Sequence, residues 1–292
     1  MSDIPSWWPH RAASCRVRVA PHDWHVQIIG TGPDVLLLHG AGASTHSWRG
    51  LAGHLPGFRL LIPDLPGHGF TRTANPMRLG IDAMAEDLAA LARAQDWQPQ
   101  AVVGHSAGGA LAFRLSGALP VAPAALVGIC AALDPFQGMA GWAFPRIARA
   151  MAMTPALPHV LARIASRSDR VARAILNTGS ELDAEGIALY RELIRRPSHV
   201  QGMLGMMAQW DLAHLPGQLE QTRCPVLLIS AGRDRAVPPL VADRAARRIR
   251  RSELVSFADL GHLCHEEAPA RIAAPVHAFL SRNLSGALHS RA

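Results

Sequence analysis

Apolar and polar positions follow two alternating rhythms in the first half of the chain. Short apolar or alternating runs predict strands at Cys15–Ala20, Trp24–Ile29, Val35–Leu38, Arg59–Ile62, Ala101–Val103 and Ala125–Ala131. Helical spacing of apolar residues fills Thr45–Leu55, Ile81–Ala94 and Ala107–Leu119. Short β-branched runs separated by amphipathic helices indicate an α/β fold with a mostly parallel sheet covered on both faces. Only Pro21-His22-Asp23 separates the first two runs, which predicts an antiparallel entry hairpin.

The rhythm breaks after Leu133. As far as Leu219 no strand pattern occurs, and Pro, Met, Ala and Arg become common. Six of the nine methionines (Met139, Met151, Met153, Met203, Met206 and Met207) fall in this stretch. Strand patterns resume at Pro225–Ser230 and Glu253–Phe257, with helical ones at Leu240–Ile249 and Ala268–Leu280. A helical insertion inside a strand–helix alternation predicts a cap over the carboxyl edge of the sheet, where open α/β folds bind ligands. The expected organisation is a core of eight strands formed by residues 1–132 and 220–292, with a helical cap at 133–219.

With 49% hydrophobic and 17% charged residues, the 292-residue chain has ample material for one large core. No run approaches the ~18 apolar residues that span a bilayer. The opening MSDIPSWWPHRAAS lacks the basic start and apolar stretch of a secretion signal, so a cytoplasmic protein is expected. The formal charge is +7, and every basic side chain other than histidine is arginine. The densest cluster (Arg244, Arg247, Arg248, Arg250 and Arg251) reads as the exposed face of a helix. No basic–aromatic interleaving or known module accompanies it, so nucleic acid is not an expected partner. Attraction to acidic partners, anionic lipid or carboxylate-bearing substrates stays open. Cys15, Cys130, Cys224 and Cys264 lack metal-ligand spacing, so neither a metal nor structural disulfides are expected, and the chemistry below needs no cofactor.

The chemistry-bearing segment is Ala101-Val102-Val103-Gly104-His105-Ser106-Ala107-Gly108-Gly109-Ala110. It is an apolar strand running into a Gly-x-Ser-x-Gly turn that opens a helix. The turn is so tight that side chains two residues either side of the serine would strike backbone, and Gly104 and Gly108 remove them. Ser106 is thereby exposed at a helix N-terminus, where unpaired N–H groups favour a developing anion. Earlier, the apolar third strand ends in His39-Gly40-Ala41-Gly42-Ala43. There the N–H of Ala41 (or Gly42) can join that of Ala107 as an oxyanion hole. Asp64 and His68, in Pro63-Asp64-Leu65-Pro66-Gly67-His68-Gly69, are expected to organise a loop rather than react. Downstream, Val226–Pro238 delivers Asp234 after a buried strand, with Asp134 held as the reserve acid. After the last strand, His262 follows Gly261 in a loop where a general base can swing over the serine. His262, His265 and Glu266 fit neither zinc motif H-E-x-x-H nor H-x-x-E-H. Glu266 and Glu267 are expected at a helix start, compensating the dipole.

The order Ser106, Asp234, His262, each after a predicted strand, resembles the α/β-hydrolase superfamily across nearly the whole chain. That family usually places glycine three residues before the acid, where this chain has Ala231 with Gly232 next. A closer resemblance, to the BchO family of magnesium-chelatase accessory proteins of bacteriochlorophyll biosynthesis, is carried by several unusual stretches. These are Ser6-Trp7-Trp8-Pro9-His10-Arg11, Trp24-His25-Val26-Gln27 and Gly40–Arg49, together with Asn177-Thr178-Gly179-Ser180, His199-Val200 and Met206–Asp211. This resemblance implies a photosynthetic pigment setting, a tetrapyrrole intermediate as ligand and an association with magnesium chelatase. Trp48, Trp142, Met206 and Trp210 are then candidate substrate-binding residues, since thioethers and indoles suit a flat macrocycle.

Two functions from different classes follow. In one, a serine hydrolase cleaves an ester-like bond of an apolar small molecule. In the other, a non-catalytic accessory protein holds a porphyrin for magnesium insertion. Epoxide opening normally wants an aspartate nucleophile, which Ser106 is not.

Overall fold

The computed structural model describes residues 3–135, 160, 163 and 169–284. Nine strands form one sheet: β1 Ser14–Val19, β2 His22–Ile29, β3 Asp34–Leu38, β4 Arg59–Pro63, β5 Arg72–Thr73, β6 Ala101–His105, β7 Ala125–Ile129, β8 Val226–Ala231 and β9 Ser252–Phe257. Eight lie in the order β1-β2-β4-β3-β6-β7-β8-β9. The ninth, β5, is a two-residue strand on β2, too short to leave a pattern in the sequence. The pairings β1·β2 and β2·β4 are antiparallel, so the entry hairpin is present as expected. From β4 through β3 to β9 every pairing is parallel.

Helices α1 (Arg49–Ala52), α2 (Ile81–Ala94) and α3 (Ala107–Ser116) belong to the first half. The predicted helix at Thr45–Leu55 is instead a 3-10 turn, Thr45–Trp48, running into the four-residue α1. Between β7 and β8 the described residues form α4 (Arg170–Asn177), α5 (Ala184–Ile194), α6 (Pro197–Gln209) and α7 (Leu215–Gln221), with no strand. Leu215 and Leu219 of α7 join the main core, so the boundary expected at 219/220 falls inside a core helix. After β8 come α8 (Leu240–Arg248), α9 (Cys264–Glu267) and α10 (Pro269–Leu284). Among the described residues no helix is long and apolar enough to cross a membrane.

Strand alternation divides the core between the two faces of the sheet. On β3, Leu36 and Leu38 join Val102, Leu126 and Leu228 against α2, α3 and α7. Val35 and Leu37 join Val103, Val127 and Ile229 against α1 and α10. Burial on both faces explains why these strands are almost uniformly apolar. It also leaves the carboxyl ends of β6, β8 and β9 as the places where polar side chains can converge.

Candidate active site

Ser106 directly follows β6 with φ 53° and ψ −120°, a strained conformation for any residue but glycine. The flanking glycines are sterically required. A Cβ on Gly104 would lie 2.1 Å from the Gly108 carbonyl oxygen, and one on Gly108 would lie 2.2 Å from that of Leu38. The turn is tied to the sheet by the Ser106 N–H donating to Ile129 O (3.0 Å) and the Ala132 N–H donating to Ser106 O (3.0 Å).

His262, in the loop after β9, lies 3.0 Å from the Ser106 Oγ through Nε2. Its Nδ1–H donates to Asp234 Oδ2 at 2.8 Å. The other Asp234 oxygen accepts the N–H groups of Ala236 and Val237, both at 2.8 Å, which fixes the carboxylate plane. Gly232 supplies the close approach that Ala231 cannot, since a Cβ there would meet the Ala258 carbonyl oxygen at 2.6 Å. Asp134, the reserve acid, is instead ion-paired with Arg244 of α8 at 2.5 Å. The series Ser106–His262–Asp234 is therefore assembled from the ends of three strands.

Electrostatics single out His262 among its neighbours. Burial pulls its pKa down, but the hydrogen bond to Asp234 and the adjacent Cys130 thiol outweigh that and push it up to about 9. His105 and His265 pack beside it, their rings 4.3 Å apart. Burial, with positive charge on His262, holds His265 down to about 3 and lowers His105 well below the usual imidazole range. One ring of the three carries a proton readily.

The loop Gly40–Ala43 lies beside the serine, a Cβ on Gly40 coming within 3.1 Å of the Ser106 Cβ. The Gly40 carbonyl accepts from His39 Nδ1–H (2.8 Å) and from the Ala43 N–H (3.2 Å). In a trans peptide C=O and N–H point oppositely, so pinning that carbonyl aims the Ala41 N–H the other way. Among the described residues neither the Ala41 nor the Ala107 N–H has a hydrogen-bond partner. Asp64 organises the neighbouring loop as expected, accepting from Thr45 N (2.7 Å), Phe70 N (2.8 Å) and His25 Nδ1 (2.7 Å). Burial raises its pKa, but His25 and these donors hold it well below the usual carboxylate range. His68 donates from Nδ1 to Pro66 O within the same loop.

Several contributors were not recognised from sequence. The Asn177-Thr178-Gly179-Ser180 turn wedges between the loops carrying Asp234 and His262. Ser180 Oγ accepts the Leu263 N–H (2.7 Å), Thr178 O accepts the Arg235 N–H (3.0 Å), and a Cβ on Gly179 would overlap Arg233 O. Buried His199 of α6 accepts the Gly69 N–H at Nδ1 (3.0 Å) and donates from Nε2 to Gly42 O (3.2 Å). Glu266 and Glu267 do fall in the first turn of a helix, α9, as expected. The Glu266 side chain is nevertheless fully buried, ion-paired with Arg49 (2.5 Å) and accepting from the Tyr190 hydroxyl (2.7 Å). Glu267 instead accepts the Gly261 N–H.

The expected substrate-binding set needs correction. Trp48 is fully buried, its ring against His265 in the core between the sheet and α10. Met206 is likewise a core residue, because its face of α6 points inward. Met203, three residues earlier, is the methionine that reaches the loop at Gly42, with Sδ 3.0 Å from where a Cβ would lie. Trp210 is half-buried against the core, and Trp142 lies outside the described residues.

The family model for the alpha/beta hydrolase fold matches residues 33–269, and the chain belongs to that family. It is 46% identical over 271 residues to the magnesium-chelatase 30 kDa subunit of Rhodobacter capsulatus, covering 91% of this chain and 93% of that one, which bears out the closer BchO resemblance. It is 33% identical over 270 residues to lipase LipV of Mycobacterium tuberculosis (88% and 98% covered). A thermophilic esterase of Thermogutta terrifontis superposes with a TM-score of 0.73 at 25% identity, covering 92% of this chain and 98% of that one.

Proposed function

We propose that the protein is a cytoplasmic serine hydrolase that cleaves an ester-like bond of an apolar substrate. The observation that carries this reading is the unbroken contact series from Ser106 Oγ through His262 to Asp234. Likeness to a lipase and an esterase supports the reaction class. In the proposed mechanism neutral His262 takes the Ser106 proton at Nε2 as Oγ attacks the substrate carbonyl. Asp234 holds the Nδ1–H tautomer and stabilises the imidazolium. The oxyanion of the tetrahedral intermediate accepts from the N–H groups of Ala41 and Ala107, each such donor lowering the barrier by about 3 kcal/mol. His262 then returns its proton to the leaving oxygen, giving an acyl-enzyme. A water, deprotonated by the same imidazole, hydrolyses that intermediate. The test is turnover of small aryl esters. The wild type should show it and Ser106→Ala should lose it, while equal rates in both would remove Ser106 from the mechanism.

A second reading rests on the 46% identity to a magnesium-chelatase subunit. In it the protein acts in bacteriochlorophyll biosynthesis as a porphyrin-binding accessory factor that associates with the chelatase and needs no chemistry at Ser106. The substrate of the first reading would then be a tetrapyrrole ester in the same setting. Complementation separates the two: rescue of pigment synthesis by Ser106→Ala supports the accessory factor, and failure of a folded variant supports hydrolysis.

A further inference from the structure

Among the described residues, four that are not glycine have positive φ: His10, Asp96, Ser106 and Cys130. His10 and Asp96 are exposed, and both residue types tolerate this region. Ser106 and Cys130 both lie beside His262. Left-handed backbone costs a residue such as cysteine roughly 1–3 kcal/mol and persists where the surroundings impose it. At Cys130 (φ 43°) the chain leaves β7, its N–H still held by Ile229 O at 2.8 Å, and the thiol turns into the site. A ligating atom from each of Cys130, Asp234 and His262 lies within 4.8 Å of the other two, and all three residues are buried. The Cys264 Sγ is 3.7 Å from that of Cys130.

We propose that Cys130, Asp234 and His262 form a binding site for a soft divalent cation of the zinc class, and that a cation bound there silences Ser106. A thiolate, an imidazole and a carboxylate are the usual zinc donors, at ~2.0–2.3 Å from the metal, so one tetrahedron sets them ~3–4 Å apart. The observed separations run up to 4.8 Å, so a bound cation must draw the donors together by about 1 Å. The donor chemistry selects against magnesium, which takes oxygen ligands in octahedral geometry. Half-buried Ser106, in contact with the buried His262 ring, marks the entrance. Coordination releases the Cys130 thiol proton to solvent. Nδ1 is the His262 nitrogen that faces another donor of the set, Asp234 Oδ2 at 2.8 Å. Coordination through it takes the Nδ1 lone pair, moves the ring's proton to Nε2 and breaks the hydrogen bond to Asp234. A ring protonated at Nε2 cannot accept from Ser106. Cation binding and base catalysis therefore exclude each other. The silencing rests on the proposed hydrolase function, whereas the site itself does not.

Cobalt(II) titration of the intact protein tests the site without any need for activity. The wild type should develop a thiolate-to-cobalt charge-transfer absorption that saturates at one equivalent. Zinc should displace the cobalt, and excess magnesium should not. Cys130→Ser, checked for folding by its thermal melt, should lose the band, and Cys224→Ser should keep it. Asp234→Asn, which keeps the thiol, should weaken cobalt binding by at least about tenfold, the loss typical even of outer-shell partners. A band that survives in Cys130→Ser, or a folded wild type that shows none, overturns the site. Fluorophosphonate labelling of Ser106 should fall in step with zinc occupancy, and unchanged labelling at saturation would overturn the silencing. If the protein neither labels nor hydrolyses esters, the hydrolase reading fails while the cobalt band still decides the site.

Discussion

The Ser180 hydroxyl, in the turn before α5, accepts the N–H of Leu263 at 2.7 Å and so holds the loop that carries His262. Neither partner belongs to the Ser106–His262–Asp234 series, yet their contact pins the backbone one residue after the imidazole. The same loop is held from two other sides. His105 Nε2–H donates to the His262 carbonyl (2.9 Å), and the Gly261 N–H donates to Glu267 (3.0 Å).

Ser180→Ala leaves a buried N–H without an acceptor, which should cost about 1–3 kcal/mol of stability. Because the freed loop carries His262, kcat for an aryl ester should fall more than KM changes. Gly179→Ala should be worse, since φ there is 87° and the new Cβ has no room beside Arg233 O. Thermal melts and steady-state kinetics on the same preparations check both. A Ser180→Ala protein with lowered stability and unaltered kcat would detach this turn from the site.

Asp234→Asn should lower kcat on the order of 10⁴-fold, because an amide favours the wrong imidazole tautomer. Asp134→Asn breaks a half-exposed pair with Arg244 and should leave kcat within a few-fold of wild type. Comparable losses in the two variants would reopen the choice of acid.

The pH dependence follows from His262. In its proposed role as the base it works only when neutral, and its pKa, pulled down by burial, is pushed up to about 9 by Asp234 and Cys130. The rate kcat/KM should therefore climb with pH, its acid limb lying well above the ordinary imidazole value. In Asp234→Ala the limb should move toward acid. The stability linked to this raised pKa is fully present below about pH 6.5 and lost as pH rises through about 9. Identical limbs in wild type and Asp234→Ala would contradict the assignment.

Seven buried histidines pull the other way. Burial lowers the pKa of His22, His39, His46, His68, His105, His199 and His265, with His199 at about 4 and His265 at about 3. The unfolded chain binds protons at these positions below about pH 6.5 and the folded chain does not, so stability falls as pH drops. Each such group steepens the slope by about 1.4 kcal/mol per pH unit between its two pKa values. Denaturant unfolding from pH 7 to pH 4 should show a large loss, reduced in His265→Phe. A flat profile would mean that the rings are hydrated.

What could be read from sequence was local. Gly104, Ser106 and Gly108 announce their turn because the steric demand acts over two residues. The strands on both sides of it show as apolar runs because both sheet faces are covered. Contacts between distant segments left no such trace. Asn177–Ser180 stood out only as a resemblance, since its role comes from meeting loops far along the chain. Cys130 and His262 are equally remote in sequence, so no ligand spacing could reveal them. Met203 and Met206 share a composition signal, and only the packing of α6 separates the one at the loop from the one in the core. Trp48 misled for a related reason: a large aromatic after a glycine-rich loop suits a wall or a core equally well.

The most direct measurement is intact-mass analysis after reaction with a fluorophosphonate, followed by peptide mapping. The wild type should gain a single adduct on the peptide containing Ser106, at a rate that falls sharply in Asp234→Asn, and Ser106→Ala should gain none. An adduct of undiminished yield in Ser106→Ala, or a folded wild type that never reacts, would contradict the assignment of Ser106 as the nucleophile.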